Sequence, residues 1–432
     1  MKYKSLNNRS NSTSFREALS YGLAPDKGLY FPEHIIQIPN KIIDNLSNMD
    51  EVELCHEVIK GYIGDEISKN DLLEIISKTI SFNIPLKNVH DSIYSLELFH
   101  GPTLAFKDVG AKFMALCLNH FNNSFNSKKI TVLVATSGDT GGAVANGFKD
   151  IKDIDVCILY PKGKVSKVQE LQITTNGSSV RAIEVDGDFD LCQSMVKEAF
   201  NDKQINSKIS LTSANSINIA RWLPQIFYYF LSFKNLDYSL LNIFSVPSGN
   251  FGNLCAGVLS KKMGLKIDHF IASTNINDTV PRYLENGILE PNKTISTISN
   301  AMDVSIPSNF IRIQNLYDND YNELKKIISG YSFDDFSTKL SMKILFHKFS
   351  YICDPHSTIG YLGLQKFLEE NQIKNFNGIF LSTAHPIKFK KIVEESIGSK
   401  IEYPHSILKI FEKKKVSQNI STYEELKEIL ID

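Results

Sequence analysis

The sequence predicts an α/β protein with a parallel sheet, preceded by a mainly helical N-terminal segment. Apolar runs of strand length alternate with helical segments from residue 129 onward, which is the pattern of parallel strands joined by crossover helices. Three of these runs end in loops of small and hydroxylated residues, and each loop opens a helix. With 432 residues, the chain is long enough for two or three domains.

The composition and charge limit the partners that this chain can have. The formal net charge is −1 and 42% of the residues are hydrophobic. Neither half is strongly basic, which argues against nucleic acid as the main partner, so we expect a small-molecule substrate. The N-terminus lacks an apolar signal core and no run of about 18 apolar residues occurs. We therefore expect a soluble, unprocessed chain that does not enter membranes.

Cysteine and histidine usage predicts no metal site. The six cysteines lie far apart without a Cys-x-x-Cys pair, as expected for reduced core residues of a cytosolic protein. His356 and His385 each stand beside a proline, and no partner histidine lies at metal-ligand spacing. We interpret both as structural loop residues.

The first 95 residues are predicted to be a helical scaffold without a catalytic cluster. Ser14 and Glu17 form a possible capping box before a short helix that Gly22 would end. Two amphipathic helices are predicted over residues 49–61 and 70–80, the second capped by Ser68 or Asn70.

Lys107 has an unusual position for a lysine. Pro102 and Thr103 predict a turn and an N-cap, so Lys107 falls in the first turn of a helix whose apolar residues recur at three-to-four spacing. The helix dipole and the loss of water both disfavour the ammonium form, which would make Lys107 a candidate Schiff-base nucleophile. The alternative is an ordinary solvated first-turn lysine.

Three loops are predicted to meet at one edge of the sheet. The candidate strands are 130–135, 155–160, 180–185, 208–212, 242–246, 268–273 and 378–382. The first, fifth and last lead into residues 136–142, 247–253 and 382–386. Because ligands bind at the carboxyl ends of strands in open α/β sheets, these loops predict a shared pocket.

The loop Ser248–Asn253 is a candidate anion site. Its two glycines allow close approach of the backbone, and a helix predicted from Leu254 to Met263 points its N-terminus at the loop. The sequence matches neither a nucleotide-binding P-loop nor a dinucleotide fingerprint. A plain turn between strand and helix is the alternative.

A second group of donors lies in residues 212–221, after another short apolar run. It contains Asn215, Ser216, Asn218 and Arg221. An arginine fork beside hydroxyl and amide donors suits a phosphate dianion or a carboxylate. The alternative is a capped helix N-terminus with Arg221 in solvent. The tail from Lys388 onward is interpreted as solvated helices.

Seven motifs, in this order, resemble those of the threonine synthase family in its longer form. They are Glu97–Asp108, Ala135–Gly141, Ser213–Asn218, Val246–Gly252, Asn277–Arg282, Ser299–Asp303 and Thr383–Pro386. The resemblance implies a two-lobed, tryptophan-synthase-β-like (fold type II) α/β enzyme that uses pyridoxal 5'-phosphate. It also implies an extra helical N-terminal domain, residues 1–95, a catalytic region, 96–390, and a helical extension, 391–432.

The resemblance also implies roles for individual residues. Lys107 would be catalytic and would hold pyridoxal phosphate. The phosphate of the cofactor would lie on Gly249, Asn250, Phe251, Gly252 and Asn253, and Thr383 would face the pyridine nitrogen. The substrate would bind to Thr136, Ser137, Gly138, Asp139, Thr140, Asn215, Ser216 and Arg221, the last three holding its phosphate. Two positions depart from the family pattern: Gly142, to which no role is assigned, and Asn253 in the phosphate loop.

The implied reaction converts O-phospho-L-homoserine and water into L-threonine and phosphate, the last step of threonine biosynthesis. A serine or threonine dehydratase or a sulfhydrylase would share the lysine and the glycine-rich loop without needing a second phosphate site. A catalytically silent binding protein of the same fold is a further alternative. We expect a cytoplasmic monomer or homodimer.

Overall fold

The computed structural model describes residues 1–122, 130–177 and 179–431. Its strands are β1 (Tyr3–Ser5), β2 (Tyr30–Pro32), β3 (Leu86–His90), β4 (Ile93–Glu97), β5 (Ile130–Ala135), β6 (Ile154–Pro161), β7 (Val180–Val185), β8 (Ser210–Ser213), β9 (Leu241–Pro247), β10 (His269–Thr274), β11 (Ile328–Ser332), β12 (Phe376–Ser382) and β13 (Gln418–Ile420).

The α-helices are α1 (Phe15–Tyr21), α2 (Asn40–Ile43), α3 (Glu51–Ile63), α4 (Lys69–Thr79), α5 (Lys107–Asn122), α6 (Asp139–Phe148), α7 (Lys167–Thr174), α8 (Phe189–Asn201), α9 (Lys203–Lys208), α10 (Ile219–Trp222), α11 (Ile226–Ser232), α12 (Gly252–Lys262), α13 (Thr279–Asn286), α14 (Phe310–Leu316), α15 (Tyr321–Ile327), α16 (Asp335–Phe349), α17 (Pro355–Asn371), α18 (Lys390–Ile397), α19 (His405–Phe411) and α20 (Tyr423–Ile431). Short 3₁₀ turns lie at Leu46–Asn48, Gly64–Glu66, Leu223–Gln225, Phe233–Asn235, Asn300–Met302 and Pro386–Phe389.

Two larger sheets organise the described chain. One has the strand order β11-β10-β9-β12-β4-β3, the other β13-β7-β6-β5-β8, and a small antiparallel pair joins β1 to β2. All neighbours in the two larger sheets are parallel except β3 and β4. The prediction of parallel α/β architecture is therefore confirmed, with two sheets instead of one.

The seven predicted strands are all present, with ends that differ by two residues at most. Mainly apolar runs identified them because strands buried on both faces need no polar alternation. Every residue of β5 is buried. The hairpin of β3 and β4 was missed, although β4 pairs in parallel with β12 and leads directly into the segment of Lys107.

The N-terminal predictions are largely confirmed. The capping box of Ser14 and Glu17 is present, and Gly22 ends α1. Helices α3 and α4 match the two predicted amphipathic helices, and Ser68 is the N-cap of α4. The N-cap role predicted for Thr103 is wrong, because α5 begins only at Lys107.

The C-terminal tail is more buried than the sequence suggested. Strand β13 pairs with β7 at the edge of the five-stranded sheet, and Leu426 and Leu430 of α20 are buried against that sheet. The interpretation of the whole tail as solvated helices is therefore wrong. Lys388, at its start, is 1% exposed.

None of the helices in the described part of the chain has the length and apolar character needed to cross a lipid bilayer.

Candidate active site

Loops from both larger sheets line one pocket. Its walls include residues that follow β4, β5, β8, β9 and β12, as expected for a site at the carboxyl ends of strands. Of the predicted site residues, the pocket is lined by Lys107, Thr136, Ser137, Asp139, Thr140, Asn215, Ser216, Arg221, Gly249, Asn250, Phe251, Gly252, Asn253 and Thr383. Gly138 is the one predicted residue that does not line it.

Lys107 is the first residue of α5 and its side chain is 18% exposed. Its Nζ lies 4.7 Å from the centroid of the Phe106 ring and 3.9 Å from Asp139 Oδ2. The backbone N–H of Phe106 donates to the carbonyl oxygen of Thr383 at 2.9 Å. This bond joins the lysine segment to the end of β12, which brings two predicted site residues together.

The turn before Lys107 is closed by a buried carboxylate rather than by a cap. The backbone N–H of Thr103 donates to Asp108 Oδ2 at 2.9 Å, and the Thr103 hydroxyl donates to Asp108 Oδ1. Thr103 thus contributes to the geometry of the turn in a different way from the one predicted.

The pKa of Lys107 is lowered, in the direction that its position predicted. Burial is the main cause because it disfavours the ammonium form. The carboxylate of Asp139 acts in the opposite direction and raises the pKa, whereas the charges of Lys388 and Arg221 lower it further. A lysine that loses its proton readily suits both nucleophilic attack and proton transfer.

Asp139 is the first residue of α6 and is fixed by two donors. Its Oδ1 accepts from Lys388 Nζ at 2.8 Å and from Gln169 Nε2 at 2.9 Å. Burial by itself would raise the pKa of Asp139, but Lys388 and Lys107 hold that pKa well below its usual range. Asp139 is therefore a carboxylate that faces Lys107.

Gly138 and Thr136 shape the loop that carries Asp139. Gly138 has a φ of +134°, and a Cβ there would lie 2.4 Å from Gln169 Cδ. Thr136 Oγ1 accepts from the backbone N–H groups of Gly138 and Gly141 at 2.9 and 2.8 Å. The loop therefore needs glycine at 138 for its fold, which is a structural role rather than the predicted contact with substrate.

The glycine-rich loop opens onto α12, as predicted. Phe251 adopts a left-handed conformation with φ of 60°, and α12 begins at Gly252. At Gly249 a Cβ would lie only 2.6 Å from the carbonyl oxygen of Ala301. The first N–H groups of a helix have no partner within the helix, so this loop can hold an anion with neutral donors.

Arg221 is 4% exposed, so the interpretation that it lies in solvent is excluded. Its Nη1 donates to the carbonyl oxygen of Lys107 at 3.1 Å. Burial lowers the pKa of Arg221 to about 10, and the guanidinium stays charged at neutral pH. Asn218 is an N-cap, whose Oδ1 accepts from the Ala220 N–H.

Several buried polar atoms of the pocket have no hydrogen-bond partner in the described protein. They are Asn215 Oδ1, Arg221 Nε, Gln225 Oε1, Asn253 Nδ2 and Asn300 Oδ1. A buried polar group without a partner costs about 1–3 kcal/mol. Their concentration at one pocket indicates a polar ligand that supplies the missing bonds.

Some pocket residues were not assigned from the sequence. They include Phe106, Phe189, Gln193, Gln225, Asn300 and His356. The prediction of His356 as a loop residue is wrong, because it lies in the first turn of α17; its Nδ1 lies 2.8 Å from Asp354 Oδ1, and its Nε2 accepts from the Ala301 N–H. The described residues contain no group of three or more His, Cys, Asp or Glu side chains that could hold a metal ion.

The chemistry of the pocket fits pyridoxal phosphate. Lys107 supplies an amine with a lowered pKa, and the start of α12 supplies neutral donors for a phosphate. The unpartnered Nδ2 of Asn253 lies in this same loop. The hydroxyl side chain of Thr383, 7% exposed, lines the pocket.

Comparison with known proteins agrees with this chemistry. The sequence model of the family described as "Pyridoxal-phosphate dependent enzyme" matches residues 83–379. The chain is therefore a member of the pyridoxal-phosphate-dependent enzymes. Two further models, "Threonine synthase N terminus" and "Threonine synthase, C-terminal", match residues 2–80 and 357–430.

Full-length relatives narrow this class. The chain is 45% identical to threonine synthase of Buchnera aphidicola from Acyrthosiphon pisum, over 100% of both chains. The crystal structure of Escherichia coli threonine synthase matches with a TM-score of 0.92 at 39% identity, covering 100% of this chain and 99% of the other. The structure of pyridoxal-phosphate-bound threonine synthase from Brucella melitensis matches with a TM-score of 0.93 at 32% identity, again covering 100% of this chain and 99% of the other. The chain belongs to the threonine synthase family, and the fold implied by its motifs is confirmed.

Proposed function

We propose that this pocket converts O-phospho-L-homoserine and water into L-threonine and phosphate, with pyridoxal 5'-phosphate held by Lys107. The observation that carries the proposal is a largely buried amine of lowered pKa that shares one pocket with two sets of anion donors, the start of α12 and Arg221. The relatives named threonine synthase support the same reaction.

Each element of the site has a task in this reaction. When bound, pyridoxal phosphate withdraws electrons from the α and β carbons of the substrate. Lys107 moves protons at these carbons, because its amine is easily deprotonated. Ser137, Asp139 and Thr140 orient the amino-acid end of the substrate.

The phosphate leaves from the γ carbon, next to Arg221. Negative charge grows on this group as its bond to carbon breaks, so a permanent positive charge stabilises the transition state more than the ground state. Asn215 and Ser216 bind the same group, and water then adds at the β carbon. A dehydratase or sulfhydrylase would make no use of this second anion site, and for this reason we favour the phosphorylated substrate.

The first experiment locates the cofactor. Borohydride reduction of the purified holoprotein, followed by peptide mapping, is expected to place pyridoxal phosphate on Lys107. Phosphate release from O-phospho-L-homoserine, with threonine detected as the product, tests the reaction. Cofactor on another lysine would contradict the assignment of Lys107, and cofactor binding without threonine formation would favour the silent binding protein.

We also propose the organisation of the protein in the cell and along the chain. The domains are residues 1–95, 96–390 and 391–432, although the hairpin of β3 and β4 pairs with the sheet of the second. The six cysteines are free and buried, which supports a cytoplasmic protein. A monomer or homodimer is expected, and sedimentation velocity distinguishes them.

A further inference from the structure

Lys388 is a buried lysine behind the candidate active site. It follows β12 in the turn Pro386–Phe389, and its side chain has 0% exposed surface. Its Nζ lies 2.8 Å from Asp139 Oδ1 and donates to the carbonyl oxygen of Thr103 at 2.8 Å. Burying an ammonium group is costly unless it is well paired, so this lysine calls for an explanation beyond packing.

The carboxylate of Asp139 lies between two lysines. Its Oδ1 is occupied by Lys388 and by Gln169 Nε2, while its Oδ2 lies 3.9 Å from Lys107 Nζ. Gln169 is 2% exposed. The donors on Oδ1 therefore fix the orientation of the carboxylate and leave its other oxygen facing the reactive amine.

The charges near Lys107 come from several elements. They are Asp139 of α6, Lys388 after β12, Arg221 of α10 and Asp354 before α17, and Asp108 is the next residue of α5 itself. Asp139 raises the pKa of Lys107, and Lys388 lowers it. Without Lys388, Asp139 would retain Lys107 as its main cationic partner and would hold it as an ammonium.

We propose that Lys388 is a positioning residue, which neutralises and orients Asp139 so that Lys107 can release its proton while the carboxylate stays in place. Lys388 does not line the pocket, and it acts through Asp139. The inference rests on the proposed function in one respect, the reactive role of Lys107. It adds a residue that neither the motifs nor the sequence pattern assigned.

The test measures the proton of Lys107 directly, in cofactor-free protein. Full-length protein is labelled briefly with acetic anhydride across a range of pH, and acetylation of Lys107 is followed by peptide mass spectrometry. For Lys388→Met we expect the midpoint pH to rise by about one unit or more, so that labelling below the midpoint is about tenfold slower. Lys390→Met is the matched control, because Lys390 pairs with Glu394.

A double variant that lacks both charges is included in case Lys388→Met alone does not fold. Asp139→Asn/Lys388→Met removes both charges, and buried ion pairs are often replaced by neutral side chains without loss of stability. We expect its midpoint to match that of the wild type, and Asp139→Asn alone to have a lower one. The proposal would be overturned if Asp139→Asn and the double variant had equal midpoints, or if the midpoint in Lys388→Met were unchanged.

This outcome is separable from that of the proposed function. The labelling experiment uses neither substrate nor cofactor, so it succeeds or fails on the coupling of Lys388, Asp139 and Lys107 alone. Borohydride mapping, in contrast, reports whether Lys107 holds the cofactor.

Discussion

Two buried arginines of this protein serve different purposes. Arg312 of α14 is 0% exposed and donates to the carbonyl oxygens of Tyr30, Ser216 and Ile217 and to Asn309 Oδ1. Its guanidinium also lies 4.7 Å from the centroid of the Trp222 ring. Burial lowers the pKa of Arg312 to about 10.

Burial lowers the pKa of Arg221 to about 10 as well, but Arg221 has a different set of partners. One bond to the carbonyl oxygen of Lys107 holds it, and the side chain lines the pocket. The protein thus uses both terminal nitrogens of Arg312 to hold its own oxygen atoms, whereas Arg221 keeps most of its donors for a ligand. The number of hydrogen bonds to protein atoms, more than burial, distinguishes a structural arginine from a ligand-binding one.

The largest expected effect is on stability, at Arg312. Arg312→Met leaves three carbonyl oxygens without charged donors, so we expect the free energy of unfolding to fall by about 3 kcal/mol. Urea denaturation measures it. Arg282→Met is the control, since Arg282 is partly exposed and should cost less than about 1 kcal/mol. A stable Arg312→Met protein with impaired substrate binding would show that Arg312 binds substrate and is not a structural arginine.

Arg221 is expected to affect catalysis instead. Losing a hydrogen bond to a charged group costs about 1.5–3 kcal/mol, so Arg221→Ala should lower kcat/KM for O-phospho-L-homoserine by roughly ten- to 150-fold. Arg221→Lys should recover only part of this, because an ammonium lacks the fork. Cofactor titration is the second measurement. If cofactor affinity collapses while substrate affinity is retained, Arg221 belongs to the cofactor site.

Variants of the glycine-rich loop test the other anion site, the one assigned to the cofactor. At Gly252 a Cβ would approach protein atoms no closer than 3.4 Å, so Gly252→Ala should fold normally. We expect about tenfold weaker cofactor binding by fluorescence titration, because the methyl group would keep a phosphate away from the backbone. Gly249→Ala should in addition lower stability, since Ala301 stands in the way. Unchanged cofactor affinity in both variants would exclude this loop.

The smallest effect concerns a buried group that burial neutralises. Burial, helped by His100 and Lys388, lowers the pKa of His385 to about 4. In the unfolded chain the imidazole takes up its proton near pH 6.5. The free energy of unfolding is therefore highest above that pH and falls as the pH is lowered toward 4, because protonation then favours the unfolded chain.

His385→Asn should retain the cap on the Ile387 N–H and reduce the stability difference between pH 7.5 and pH 5.8 by about 1 kcal/mol. Denaturation at both pH values measures this difference. His34→Asn, at an exposed position, is the control, and an equal effect of the two variants would contradict the assignment to His385.

The elements that the sequence predicted well are those with local signals. Strands β5 and β9 are mainly apolar runs, and the loops after them contain glycines and hydroxyl residues. The hairpin of β3 and β4 was missed because its polar residues, such as Asn88 and Ser95, interrupt that pattern. Ser95 is buried in hydrogen bonds with Ser382 and Tyr351, partners that are remote in sequence.

The sequence by itself determined that Lys107 lies in the first turn of a helix in apolar surroundings, and that the loop of Gly249 and Gly252 precedes another helix. These features depend on a few neighbouring residues. Only the tertiary structure decided that Lys388 is buried against Asp139 and that Arg312 is structural. Both outcomes depend on partners far away in the chain, because the free energy of burying a charge is set by the groups that surround it after folding.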